Sequence, residues 1–138
     1  MKKKHLITFA FMGIALLFTN CKTLQSVEES FKGEYKVVSI NKQAVETAEV
    51  APFINFDWAK KNMNGSTGCN NFFTSFSAND DKTFTMSNIG STRRMCANMK
   101  VEDAFLQALN QVYSYEIGEE SIRFYNSDKE EVIELKRK

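Results

Sequence analysis

The sequence predicts an α+β fold that is mainly β: one curved antiparallel sheet of about seven or eight short strands, closed around the apolar face of a single α-helix. Three observations predict it. Segments with period-two apolar patterning recur between turn signals, and one stretch alone carries helical periodicity. Of the twelve Phe in this chain of 138 residues, nine lie beyond residue 20, a generous supply for so small a core. No internal repeat, low-complexity tract or second domain boundary interrupts the pattern.

The elements follow in order. Residues 34–40 are β-branched and aromatic enough for a strand, and 41–48 read as a loop or a turn of helix. Pro52 opens a second strand over 53–58, where its missing N–H removes no needed ladder donor. Asn62-Met63-Asn64-Gly65 reads as a turn, because Asn-Gly is a strong hairpin signal. Strands are expected near 66–77 and 83–89, separated by Asn79-Asp80-Asp81-Lys82, with Phe72 and Phe76 on one face and Phe84 and Met86 on another. The helix is expected from Met99 to about Ser114, since Val101, Phe105, Leu109 and Val112 recur at helical spacing. Asn98 is its expected N-cap, and Glu102 and Asp103 place negative charge in the first turn, where the macrodipole favours it. Gln107, Asn110 and Gln111 fall on the outer face. Strands return at 116–117, 121–125 and 131–136, with Asn126-Ser127-Asp128 turning between the last two.

The N-terminus points to export. Lys2, Lys3 and Lys4 precede thirteen residues, 6–18, of which only Thr8 is polar. That run is shorter than the roughly 20 apolar residues a membrane-spanning helix needs and fits a signal peptide. Cys21 closes it in a position that resembles the lipobox of bacterial lipoproteins, although Phe18 and Asn20 depart from the commoner small residues. The expected organisation is a lipoprotein signal peptide over 1–20, a tether over 21–30 with Cys21 as lipidation site, and one domain over 31–138. An incidental thiol behind a plain signal peptide is the alternative. The whole chain is +1; without the three N-terminal lysines, 15 Lys plus Arg face 17 Asp plus Glu, a net −2, which gives no basic footprint for nucleic acid. With Cys21 assigned to lipid, Cys69 and Cys96 remain as a pair expected to join in an oxidising periplasm, two buried free thiols being the alternative.

With these residues in place, the chain resembles the META-domain, HslJ-like family. The resemblance runs from about Phe31 to Lys136. It rests on Gly33-Glu34-Tyr35-Lys36, the Gly68-Cys69-Asn70-Asn71-Phe72 element, the Thr92-Arg93-Arg94-Met95-Cys96 element, Glu102 with Phe105 and Leu109, and Tyr115-Glu116-Ile117-Gly118. It implies a partly open, barrel-like antiparallel sheet with a helix against it, and an association with heat shock and envelope stress that names no mechanism. A more distant likeness to lipid-binding pilot lipoproteins of secretion systems implies a lipid-binding or carrier role as the alternative.

Chemistry is constrained by what the chain omits. His5 is the only histidine and lies in the signal peptide, so no imidazole serves a catalytic triad or a metal in the mature protein. No catalytic residue, metal or cofactor is expected, and a thiol enzyme or small hydrolase is disfavoured. Glu102 and Asp103 read as helix charges, and Asp80-Asp81 as turn residues with too few oxygens for calcium. Asn70, Asn71, Arg93 and Arg94 are the candidate contacts for a ligand or partner; the bland readings are backbone support around the cysteines for the Asn pair and an ion pair for one Arg. The aromatics Phe72, Phe76, Phe84, Phe105 and Phe124 read as core first and as an apolar-ligand pocket second. The functional expectation is a non-enzymatic, stress-associated binding protein, lipid-anchored in the bacterial envelope, on the outer membrane facing the periplasm or on the cell surface. Its expected partners are the membrane itself and a protein or apolar ligand.

Overall fold

The computed structural model describes residues 26–45 and 51–138. The segment read as a signal peptide, Cys21, and the first part of the segment read as a tether lie outside the described residues. A short helix α1 (Val27–Ser30) leads into β1 (Gly33–Ile40), β2 (Gln43–Ala44), β3 (Phe53–Asp57), β4 (Asn62–Ser66), β5 (Asn71–Ala78), β6 (Phe84–Met86) and β7 (Gly90–Ser91). Helix α2 (Lys100–Gln111) follows, then β8 (Ser114–Ile117), β9 (Ser121–Tyr125) and β10 (Glu131–Arg137). All pairings are antiparallel, in the order β6-β5-β4-β3-β1-β10-β9-β8, with β2 on β1 and β7 on β5. A bridge between Thr83 and Ser114, with Phe84 N–H donating to the Tyr113 carbonyl at 2.9 Å, brings the two ends of this path together. The sheet is therefore a nearly closed barrel, mainly β, as the sequence predicts.

Strand alternation fills the barrel. On β5 every second residue is buried, including Phe72 and Phe76, and Tyr35, Val37, Ile54, Phe56, Ile122, Phe124, Ile133 and Leu135 point inward from other strands. A bulge in β10 around Val132 lets Val132 and Ile133 both be buried despite being neighbours. All five aromatics read as core are buried.

Several elements differ from the sequence reading. Within residues 41–48, read as a loop or a turn of helix, Gln43–Ala44 pair with β1 as β2, and the strand expected near 66–77 begins only at Asn71. Asn62-Met63-Asn64-Gly65 is not a turn but the body of β4; the turn lies at residues 58–61, where Lys61 takes a positive φ of 54°. Gly65 is in the strand because its neighbours come too close for a side chain: a Cβ there would lie 1.9 Å from the Phe53 carbonyl oxygen. The helix stops at Gln111, since Val112 turns extended and Ser114 already belongs to β8. Residues 27–30, read as tether, form α1: Ser30 is buried, Tyr35 donates its hydroxyl to the Ser30 carbonyl at 2.5 Å, and Arg137 donates to the carbonyls of Glu29 and Lys32.

The two helices close opposite ends. Phe31, just after α1, has no exposure and meets the rings of Phe56, Phe76, Phe84, Tyr115 and Phe124 at 5.0–6.4 Å. At the other end Phe105, Ala108 and Leu109 of α2 are fully buried, and Phe105 meets Phe72 edge-on at 5.8 Å.

Candidate functional site

The two cysteine-bearing segments meet at the α2 end. Residues 67–70 turn between β4 and β5, and residues 92–99 carry the chain from β7 to α2. Cys69 and Cys96 are joined as a disulfide, with Cα atoms 6.1 Å apart. Beside it, Asn70 is 1% exposed and makes every hydrogen bond its side chain can make. Its Nδ2 donates to Glu102 Oε1 at 2.9 Å and to the Arg94 carbonyl at 3.0 Å. Its Oδ1 accepts from Arg94 N–H at 2.6 Å and from Thr92 Oγ1 at 2.8 Å. One side chain thus ties the β4–β5 turn, the approach to α2 and α2 itself.

Glu102 anchors the network from the helix. It is buried, and its Oε2 accepts from Thr67 Oγ1 at 2.5 Å and from Asn70 N–H at 2.8 Å. Burial works to raise its pKa. The hydrogen bonds from Thr67 and Asn70 and from the amides of Asn70 and Cys69 outweigh burial and hold it below the usual carboxylate value. Its reading as a helix charge alone therefore needs correction: it stands in the first turn of α2 as expected, but it is buried and hydrogen-bonded to the β4–β5 turn. The signal was there: Glu102 sits on the same helical stripe as Phe105 and Leu109, a charge at core spacing. Asp103 is exposed as expected, and Asn98 Oδ1 accepts from Lys100 N–H at 3.0 Å although Met99 occupies the N-cap.

The four candidate contact residues separate into two groups. Asn70 lies wholly inside the network, and Arg94 is drawn toward it through Nη2, which donates to the Cys69 carbonyl at 3.0 Å. Asn71 and Arg93 point to solvent, Asn71 pairing only its backbone with Thr92. Two residues that sequence reasoning passed over lie near them: Met95, 91% exposed at the tip of the stapled loop, and Phe73, 63% exposed on β5. Strict alternation along β5 places Phe73 opposite Phe72, which is the signal that could have found it.

Asp81 serves its turn, accepting from the N–H and Oγ1 of Thr83, and these bonds lower its pKa. Among the described residues no three His, Cys, Asp or Glu side chains gather closely enough to hold a metal ion. Two open grooves lie on the outside. One of about 330 Å³ runs between Ile40–Val45 and the start of α2, and one of about 490 Å³ is lined by Glu119, Glu120, Ser121 and Lys136. Neither is lined by the interior aromatics.

A family model described as the META domain matches residues 25–138. No curated protein matches the chain. Solved structures share the fold. A protein solved by NMR has a TM-score of 0.66 at 18% identity, covering 81% of this chain and 95% of its own. An NMR structure of a protein from Burkholderia xenovorans has a TM-score of 0.63 at 17% identity, covering 80% and 86%. A crystal structure of a DUF4847 family protein from Bacteroides vulgatus has a TM-score of 0.62 at 18% identity, covering 82% and 98%.

Proposed function

The chain belongs to the META domain family, and from that premise we propose that it is a membrane-anchored envelope protein that works by binding rather than catalysis, with its partner held on the outside of the barrel. The observation that carries this reading is the filled interior. A lipid carrier needs room between sheet and helix, and there Phe72 meets Phe105 at 5.8 Å while Leu109 is fully buried. Catalysis is disfavoured by chemistry: no histidine follows residue 5, the two domain cysteines are bonded to each other, and the buried carboxylate is fully hydrogen-bonded.

An anchor at Cys21 fits this reading. Only residues 22–25 lie between it and Ser26, so the lipid would lie within about 18 Å of the α1 end. The disulfide end and its exposed loop would then face away from the membrane, toward a partner met in the envelope under stress. Two measurements test the proposal. Labelling with a palmitate analogue should vanish in Cys21→Ala; persistent labelling would refute the anchor. Mass spectrometry of the purified lipidated protein should find no tightly held free lipid, and a stoichiometric extractable lipid would overturn exterior binding in favour of a carrier.

A further inference from the structure

We infer that Met95 is a reversible oxidation site: a hydroperoxide converts its thioether to the sulfoxide while the fold and the disulfide stay intact, and a dithiol-dependent reductase returns it. The inference stands independently of what the exterior of the domain binds.

Sulfur chemistry among the described residues converges on this one atom. Cys69 and Cys96 are bonded to each other, so neither offers a thiolate to an oxidant. Met63 is 1% exposed inside the barrel. Met86 and Met99 are half-buried, Met86 against the core and Met99 at the start of α2. Met95 is the most exposed large apolar side chain among the described residues. Thioether oxidation follows access to the sulfur, so exposure ranks Met95 first and Met63 last.

The loop holds Met95 out rather than leaving it loose. Before it, Thr92 Oγ1 and Arg94 N–H both donate to Asn70 Oδ1, and the Arg94 carbonyl accepts from Asn70 Nδ2. After it, Cys96 is bonded to Cys69, so both chain neighbours of Met95 are fixed. Among the described residues no hydrogen bond involves Met95 itself. The bonds that keep the loop in place therefore run through the residues beside it, and a change at its side chain breaks none of them. Met63 is the opposite case, since an added oxygen there would be a polar group without a partner in an apolar interior. A thioether that is to be oxidised without unfolding the chain, and then reached by an enzyme that reverses the change, needs a place like that of Met95.

The step balances with a hydroperoxide as co-reactant. A sulfur lone pair attacks the distal peroxide oxygen, the S–O bond forms, and the O–O bond breaks. Sulfur loses two electrons, the peroxide gains them, and the departing oxygen takes up the proton as water or an alcohol. In the return step two reductase thiols give up two electrons to form a disulfide, and the sulfoxide oxygen leaves as water. The product exchanges a flexible apolar side chain for a polar one beside Arg93 and Arg94. Oxidation thus changes the character of the loop tip and leaves its backbone in place.

The test exposes the folded full chain to hydrogen peroxide and follows each methionine by mass spectrometry. Trypsin cleaves after Arg94 and Lys100, so Met95 and Met99 fall in one peptide, residues 95–100, and fragmentation compares them directly. Expected is oxygen uptake at Met95 about tenfold faster than at Met63 and more than about threefold faster than at Met86 and Met99, with the differences vanishing in denaturant. The Met95-oxidised protein should melt within about 2 °C of the unoxidised one and keep its disulfide. Sulfoxide reductases of both epimer specificities should then restore Met95 in the native state. Met95→Leu should remove the fast phase and leave the slower ones unchanged. Met86 or Met99 reacting as fast as Met95, a fast phase that survives Met95→Leu, oxidation at Met95 that unfolds the chain or opens the disulfide, or repair that works only after denaturation would each overturn the inference. Reading each site separately keeps these outcomes independent of what Cys21 carries and of any partner.

Discussion

The two ends of the barrel are closed by different physics. At the α1 end, Phe31 plugs the opening against six other aromatic rings, contacts that are non-directional and tolerate small shifts. At the α2 end, closure depends on directed bonds: one disulfide, one buried carboxylate, and one asparagine with all four hydrogen bonds made. The first end stabilises by the area it removes from water. The second fixes how three segments sit relative to one another, because an Asn or Glu buried in any other register would be left unsatisfied at a cost of about 1–3 kcal/mol.

The sharpest way to break the comparison is to empty the aromatic end. Phe31→Ala should cost about 4 kcal/mol, the usual loss for a buried Phe plus its cavity, and should show as an early denaturation midpoint. If it costs under about 1 kcal/mol, Phe31 is not the plug its contacts describe.

Next comes the covalent part of the polar end. Cys69→Ser with Cys96→Ser should cost about 3 kcal/mol, near the chain-entropy value for a closed loop of this length. The fold should persist, because Asn70 holds both segments without the bond. The amide spectrum should change only around residues 67–70 and 92–99. A spectrum that collapses throughout would show that the hydrogen bonds depend on the disulfide.

Glu102→Gln should cost roughly 2 kcal/mol, since it removes charge-assisted bonds and turns an amide donor toward Thr67 and Asn70. Its pH signature separates it from ordinary destabilisation. A carboxylate held below its unfolded value binds fewer protons folded than unfolded, so its contribution is fully present above about pH 4.3. It is lost as pH falls through the lower folded value. Melts of the wild type should therefore drop across that acid window, and the Gln variant should lack this part of the drop. Parallel curves for the two proteins would refute the assignment.

The same contrast explains what could be read from the sequence. The inner face was legible because burial imposes a period of two on strands and a stripe on α2, so Phe72, Phe76, Phe84, Phe105 and Phe124 identified themselves. The cysteine pair was legible by arithmetic and the expected oxidising compartment, and the family elements implied the barrel. Glu102 was placed in the family element and the first helical turn, but its bonds to Asn70 were not legible, because Asn70 lies 32 residues earlier and only the folded chain juxtaposes them. Asn62-Met63-Asn64-Gly65 was misread for a related reason. Asn-Gly encodes a turn locally, but barrel packing left no room for a side chain at residue 65 and drew the segment into a strand.

The smallest effect concerns the adjacent arginines, which the sequence could not tell apart. Arg94 donates through its backbone N–H to Asn70 and through Nη2 to the Cys69 carbonyl, so truncation to Ala removes the second contact and should cost about 1 kcal/mol. Arg93 is exposed and makes no side-chain hydrogen bond or ion pair among the described residues, so Arg93→Ala should change stability by no more than about 0.5 kcal/mol. Because Arg93 stands outside the directed network, any loss of partner binding in Arg93→Ala would be a direct effect on the exterior surface. Equal destabilisation by the two substitutions would mean that the 92–96 loop is held by charge rather than by the four bonds of Asn70, and the contrast between the two ends would lose its basis.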